Sequence, residues 1–303
     1  MYGAIEAGGT KFNLALANDQ GKIIKEKTLP TKSPQEVLAQ IISFYQDHPV
    51  KALGLGLFGP VELDPKNKNF GHLLNTPKEG WRNYPFYQEL NQALPQTNLV
   101  LETDVNVAGL GEYYLGNGLG KKSLLYLTVG TGIGGSYIYK GHPLQGLSHP
   151  EMGHILLRPH PKDSFSGTCP YHDYCLEGMA AGPSIYARYQ ELGQNLGPHH
   201  EVWTFLAHYL AQALVSYTVI LRPDQITLGG GVMHSPGLLD KVKENFQAYF
   251  HDYLPLPPLD DYIKTPKLKD RSGISGALLL VLDEKQKSSL SWMPTWREEI
   301  NPL

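Results

Sequence analysis

The chain has 303 residues, 41% hydrophobic, 10% aromatic and 18% charged, the make-up of a globular protein with apolar material for one large or two medium cores; general disorder is excluded. A formal net charge of −3 supplies none of the basic field that binding to a phosphate backbone needs, so nucleic acid is not an expected partner. The opening MYGAIEAGGTKF lacks the basic segment, apolar run and cleavage site of a signal peptide. No window approaches about 18 uninterrupted apolar residues, and the expectation is a cytoplasmic protein with no membrane partner.

In chain order, YGAIEA (residues 2–7) and FNLALAND (12–19) read as two strands joined through Gly8, Gly9, Thr10 and Lys11, and a DQG turn leads to a third strand at 22–30. Residues 34–47 place Val37, Leu38, Ile41, Ile42 and Tyr45 on one helical stripe, and an apolar strand, KALGLGLF, follows at 51–58. A buried strand over 99–104 then runs into the helix VNVAGLGEYYLG. The pattern begins again near residue 123 with the strand SLLYLTV, a turn at 130–135 (GTGIGG) and the strand SYIYKG. An amphipathic helix around 201–221, the strand DQITL, a Gly229-Gly230-Gly231 turn and a helix over 238–250 complete it. This duplication predicts two related α/β lobes with a cleft between them, an N-terminal lobe over 1–120 and a C-terminal lobe over 121–303. The polar tail from 285, KQKSSLSWMPTWREEINPL, is assigned no function.

Two stretches match G-x-G-x-x-G, at 54–59 and 130–135. Neither is a dinucleotide fingerprint, because that motif ends a strand and opens a helix, whereas the first runs into Pro60 and the second into another strand. The two glycine hairpins instead offer backbone N–H groups, a threonine hydroxyl and, at the first, Lys11, an array suited to phosphate. Asp104 falls where a carboxylate projects from the C-terminal end of a strand, the usual ligand position in open α/β sheets. There it would accept a proton from a substrate hydroxyl; aspartate is also a favoured helix N-cap.

Both cysteines of the chain lie in CPYHDYC at 169–175. A lone disulfide is disfavoured in a reducing compartment, and redox pairs normally read C-x-x-C. Cys169, His172 and Cys175 supply three zinc-type ligands, and a tetrahedral structural site needs a fourth. Its nearest donors upstream are His149, His154 and His160, with a zinc loop over about 150–178.

Taken together, EAGGTKF (6–12), LNTPKEGW (74–81), TDVN (103–106), GTGIGG (130–135), the E-x-G-H at 151–154 with CPYHDYC, and GGGVM (229–233) resemble the ROK family of sugar kinases and repressors, and within it the bacterial fructokinases. The resemblance runs to Gly273-Ile-Ser-Gly-Ala277. It implies an actin-like, ribonuclease-H-like pair of lobes closing over ATP and a sugar, with magnesium, structural zinc and a homodimer. Gly8, Gly9, Thr10, Lys11, Gly130, Thr131 and Gly132 would hold phosphates, and Pro183, Gly229, Gly230, Gly231, Val232 and Met233 would line the adenosine site. Asp104 would be the base; Asn75, Glu151 and Glu177 would bind sugar hydroxyls; His154, Cys169, His172 and Cys175 would bind zinc. Glu6 stands where many members have Asp, at the magnesium site. Thr103 stands where glucose kinases of the family commonly have Asn, and with LNTPKEGW it matches the fructokinase branch. The expected reaction is phosphorylation of D-fructose, with mannose or glucose as the alternative hexose. Regulators in the family carry a helix-turn-helix module before the first hairpin, and only seven residues precede Gly8.

Overall fold

The computed structural model describes residues 1–76, 78–283 and 286–287. In chain order its elements are β1 (Tyr2–Ala7), β2 (Lys11–Ala17), β3 (Ile23–Pro30), α1 (Pro34–Asp47), β4 (Ala52–Leu57), α2 (Phe86–Ala93), β5 (Asn98–Thr103), α3 (Asp104–Leu115), β6 (Ser123–Val129), β7 (Ile133–Tyr139), β8 (His142–Pro143), α4 (Leu176–Ala180), α5 (Gly182–Tyr189), α6 (Val202–Leu221), β9 (Ile226–Gly229), α7 (Leu238–Phe250), α8 (Leu259–Tyr262), β10 (Ile263–Lys264) and α9 (Ser272–Leu279). They form two compact units. Unit 1 holds Met1–Leu119, Gln145–Ser148 and the described chain from Asp270; unit 2 holds Gly120–Leu144 and His149–Lys269.

Each unit is built on one five-stranded mixed sheet, ordered β3-β2-β1-β4-β5 in unit 1 and β10-β9-β6-β7-β8 in unit 2. In unit 1, β1 pairs antiparallel with β2 and parallel with β4, which pairs parallel with β5. In unit 2, β6 pairs antiparallel with β7 and parallel with β9, which pairs parallel with β10. The second sheet therefore repeats the first, strand for strand, as the duplicated sequence pattern leads one to expect. Its outer strands β8 and β10 have two residues each, too few for any periodicity to be read. The turn read over 130–135 is shorter than expected: Ile133, Gly134 and Gly135 already pair with β6.

The sequence reading put everything beyond residue 121 into the second lobe, and the structure corrects this at the C-terminus. Helix α9 belongs to unit 1, packed on β1, β4 and α3. Its approach is backbone against backbone: a Cβ on Gly276 would lie 1.6 Å from Val107 O, and one on Gly54 1.8 Å from Ala277 O. Glycines there let a helix sit closer than any side chain permits, which also gives the first formal G-x-G-x-x-G a packing role. Of the tail from 285, only Gln286 and Lys287 are described; the remaining positions lie outside the described residues.

Helix α6 is, among the described residues, the one helix long and apolar enough to cross a membrane by length and composition, although polar residues such as His208 and Gln212 break its apolar run. Most of its 20 residues are buried in the core of unit 2, with Trp203, Tyr209 and Leu210 fully enclosed. A helix apolar on nearly all sides is what a large domain core requires. In unit 1, Trp81 plays the equivalent part. Fully buried, it stacks on Phe12 with ring centroids 5.4 Å apart and donates its indole N–H to Lys32 O at 2.9 Å.

Candidate active site

Unit 1 supplies one glycine hairpin and a strand end. The β1–β2 turn is closed by Gly8 N donating to Lys11 O at 2.9 Å, and Thr31 Oγ1 ties it to β3 by donating to Gly8 O at 2.9 Å. Glu6, on β1 just before the turn, accepts from Asn13 Nδ2 at 2.9 Å. Burial pushes its carboxyl above the usual range, while Asn13 and Lys11 pull it back. Asn75 follows a residue pinned twice by its backbone, Leu74 N donating to Pro60 O (2.8 Å) and Asn83 N donating to Leu74 O (2.9 Å).

At the end of β5, the sequence Glu102-Thr103-Asp104-Val105-Asn106 makes its own scaffold. The cap of α3 is Thr103, whose Oγ1 accepts Asn106 N at 3.1 Å. The aspartate is thus not the cap that composition alone allowed. It is the first residue of the helix, with Oδ1 accepting Val105 N at 2.7 Å.

Unit 2 supplies the second hairpin. Gly182 N, opening α5, donates to Gly130 O at 2.7 Å, which brings Pro183 beside the turn. Gly230 takes φ +91 with no room for a Cβ against Val129, so the run Gly230–Met233 leaves β9 against the end of β6. Glu177 lies under this hairpin. Its Oε2 accepts Ile133 N at 2.8 Å, and a Cβ on Gly132 would come within 2.7 Å of that oxygen. In the glycine turns, Gly9, Gly130 and Gly231 have φ outside the left-handed region, and an added Cβ at each would meet nothing within 4 Å, as is also true of Gly146 and Gly197 elsewhere. Side-chain-free backbone facing open space is what a phosphate-bearing ligand needs for close approach.

His154, Cys169, His172 and Cys175 come together with their ligand atoms all within 4.8 Å of one another. Cys169 Sγ lies 3.7 Å from both His154 Nδ1 and His172 Nδ1, and Cys175 Sγ lies 3.7 Å from His154 Nδ1. A tetrahedral zinc with Zn–S of about 2.3 Å and Zn–N of about 2.0 Å separates sulfur from nitrogen by about 3.6 Å, so the four residues fit the ion. Of the three upstream histidines, His154 is the one grouped with the cysteines; His149 instead faces Glu151 Oε1 at 3.0 Å, and His160 lies in the loop that follows. Burial pushes the Cys175 thiol up to about 11, so a bound cation is what would hold it as thiolate at neutral pH. His154 turns its Nε2 toward Glu177 Oε1 at 3.8 Å, the carboxylate support common behind a metal-bound imidazole.

Residues 2–284 match the ROK family. The chain belongs to the ROK family. It is 41% identical over 282 residues to the fructokinase of Pediococcus pentosaceus, covering 92% of this chain and 97% of that protein. It is also 41% identical over 275 residues to the fructokinase of Lactococcus lactis subsp. cremoris, covering 90% and 93%. Among solved structures, the ROK hexokinase of Thermus thermophilus superposes with a TM-score of 0.74 at 25% identity, covering 92% of this chain and 97% of that one. The two duplicated units of this ROK protein are therefore the actin-like ATPase fold.

Sequence reasoning missed several residues that organise this ROK site. Glu102 accepts from Thr103 N (2.9 Å) and Asn106 Nδ2 (2.8 Å) through Oε1, and from Gln145 Nε2 (3.2 Å) through Oε2. Asp163 and Arg188 form a buried ion pair at 2.8 Å, with Tyr209 donating to Asp163 Oδ2 at 2.9 Å, and so anchor the loop between His154 and Cys169 on α5 and α6. A polar residue inside an apolar-looking strand was the only signal for Glu102. For Asp163 and Arg188, 25 residues apart, there was none.

Proposed function

We propose that this protein phosphorylates D-fructose on its 6-hydroxyl with ATP as donor. The 41% identity to fructokinases over nine-tenths or more of both chains carries the reading. Asp104 accepts the proton of the 6-hydroxyl as that oxygen attacks the γ-phosphorus; the bond to the β-phosphate oxygen breaks and ADP leaves. Such transfer depends chiefly on positioning and on neutralising phosphate charge. Gly8, Gly9, Thr10, Lys11, Gly130, Thr131 and Gly132 hold the phosphates, and the open space at Gly9 and Gly130 supports that role. Pro183 and Gly229 to Met233 line the adenosine, with Gly231 leaving room for it. Asn75, Glu151 and Glu177 accept from sugar hydroxyls.

Magnesium carried with the nucleotide would supply counter-charge to the phosphates, and Glu6 is the residue of this chain that the resemblance places at its site. Zinc held by His154, Cys169, His172 and Cys175 is architectural, since four protein ligands leave no open position for activating water. The enzyme is assigned to the cytoplasm, as a homodimer. A coupled assay of kcat/KM for fructose, mannose, glucose and N-acetylmannosamine tests the substrate. Fructose is expected to lead. Higher kcat/KM with mannose or glucose replaces it within the same reaction, and no ATP turnover with any hexose ends the reading.

A further inference from the structure

Glu102 is a carboxyl group buried to 7% exposure two residues before Asp104. Proteins bury such a group only when its oxygens are occupied, and here the donors identify its work. Oε1 takes the N–H of Thr103, the cap of α3, and the side-chain amide of Asn106, whose own N–H is held by that cap. Thr103 and Asn106 are themselves 2% and 1% exposed. Three buried groups thus brace the one turn of backbone that aims Asp104, and the brace closes on Glu102.

The second oxygen takes a donor from far along the chain. Gln145 to Ser148 groups with unit 1, although the chain before and after it belongs to unit 2. Within unit 1 this strap donates Gln145 Nε2 to Glu102 Oε2 at 3.2 Å. Six residues after Gln145 comes Glu151, braced by His149, and three further on the first ligand of the metal cluster. The strap therefore ends one way at the carboxylate behind the base and the other way at a carboxylate read as a sugar ligand.

We propose that Glu102 is the positioning residue of Asp104, and that Gln145, seated on Glu102, is the positioning residue that ties the run bearing Glu151 to the placement of the base. This rests on the reading of Asp104 as base and Glu151 as sugar ligand. Neither Glu102 nor Gln145 touches substrate in this account. Glu102 acts on turnover through the aim of Asp104; Gln145 acts on sugar affinity through Glu151.

The test is steady-state kinetics with fructose and ATP on Gln145→Ala, Glu102→Gln and the exchanged pair Glu102→Gln/Gln145→Glu, with zinc content and thermal melting measured alongside. A hydrogen bond of ordinary worth predicts that Gln145→Ala raises the fructose KM about three- to tenfold with kcat within about twofold. Glu102→Gln is expected to lower kcat about tenfold or more. The exchanged pair, which restores a carboxylate–amide contact with the partners reversed, is expected to recover at least half of the Gln145→Ala loss in KM. Unchanged fructose KM in Gln145→Ala overturns the strap's role, and normal kcat in a folded Glu102→Gln overturns that of Glu102. If Glu102→Gln does not fold, the exposed Gln145 site decides alone. Asp104→Asn, run in parallel, separates the two failures: near-normal turnover there sinks the reading of the base, whereas its loss with silent Gln145 and Glu102 variants sinks only this inference.

Discussion

The two units repeat one sheet topology yet hold their carboxylates in different ways. In unit 1 the end of β5 is held chiefly by its own residues: Glu102, Thr103 and Asn106 hydrogen-bond to one another and Asp104 accepts from Val105 N, all within five consecutive residues. In unit 2, Glu177 reaches the hairpin from α4, at the end of a long irregular segment whose shape rests on four ligand side chains and one buried ion pair. The strand-to-helix junction is braced mainly by its near neighbours, with Gln145 donating to Glu102 from farther along the chain. The segment 155–175 has no such junction, and the cluster of His154, Cys169, His172 and Cys175 lies along it.

The largest effect should come from the strand-to-helix junction. Asp104→Asn is expected to lower kcat by about 10²- to 10⁴-fold, the usual worth of a general base, without altering metal content or melting temperature. Parallel loss of both kcat and zinc would mean that the two regions are not independent. On the other side, Cys175→Ala removes a ligand and leaves His154, Cys169 and His172 an incomplete shell. Zinc should fall well below one per chain and the fructose KM should rise, as read by elemental analysis and the coupled assay; full metal content in this variant would break the comparison.

Next in size is the ion pair that anchors the loop. Removing one partner of a buried pair costs about 3–5 kcal/mol, so Asp163→Asn should lower unfolding free energy by about that amount while leaving Asp104-dependent turnover measurable. Burial raises the Asp163 carboxyl, but hydrogen bonds from Arg188 and Tyr209 outweigh it and hold it below the ordinary aspartate range. Its stabilisation is therefore complete above the unfolded aspartate value of about 3.9 and lost as pH falls through the lower native value. Denaturant melts of wild type and Asp163→Asn should converge as pH drops into that range. The smallest change in stability belongs to Gly130→Ala. With nothing for the methyl to meet, stability should hold or rise by about 0.4–1 kcal/mol, while the KM for ATP rises about tenfold if a phosphate approaches there.

The sequence made legible what is local or repeated. The two glycine hairpins, the carboxylate at a strand end and the C-x2-H-x2-C run each sit within a dozen residues, and the duplication showed that the hairpins were a pair. Contacts made across long separations left no trace in it. Helix α9 returns to the first sheet because Gly54, Gly111 and Gly276 let backbones meet, and isolated glycines do not name their partners. The Gln145–Glu102 bond spans 43 residues and Asp163–Arg188 spans 25. His154 emerged from three candidate histidines through family resemblance, because spacing does not say which imidazole turns inward.

The contrast between a junction braced mainly by its own residues and a loop gathered at four candidate metal ligands is tested most directly by amide hydrogen exchange with and without a zinc chelator. Exchange should quicken at Ile133, Leu157, Leu176 and Gly178, whose N–H groups bond to Glu177 Oε2, Tyr174 O, Ile155 O and Cys175 Sγ, and stay unchanged at Thr103 and Asn106. No change at the first four, or equal quickening at all six, would contradict it.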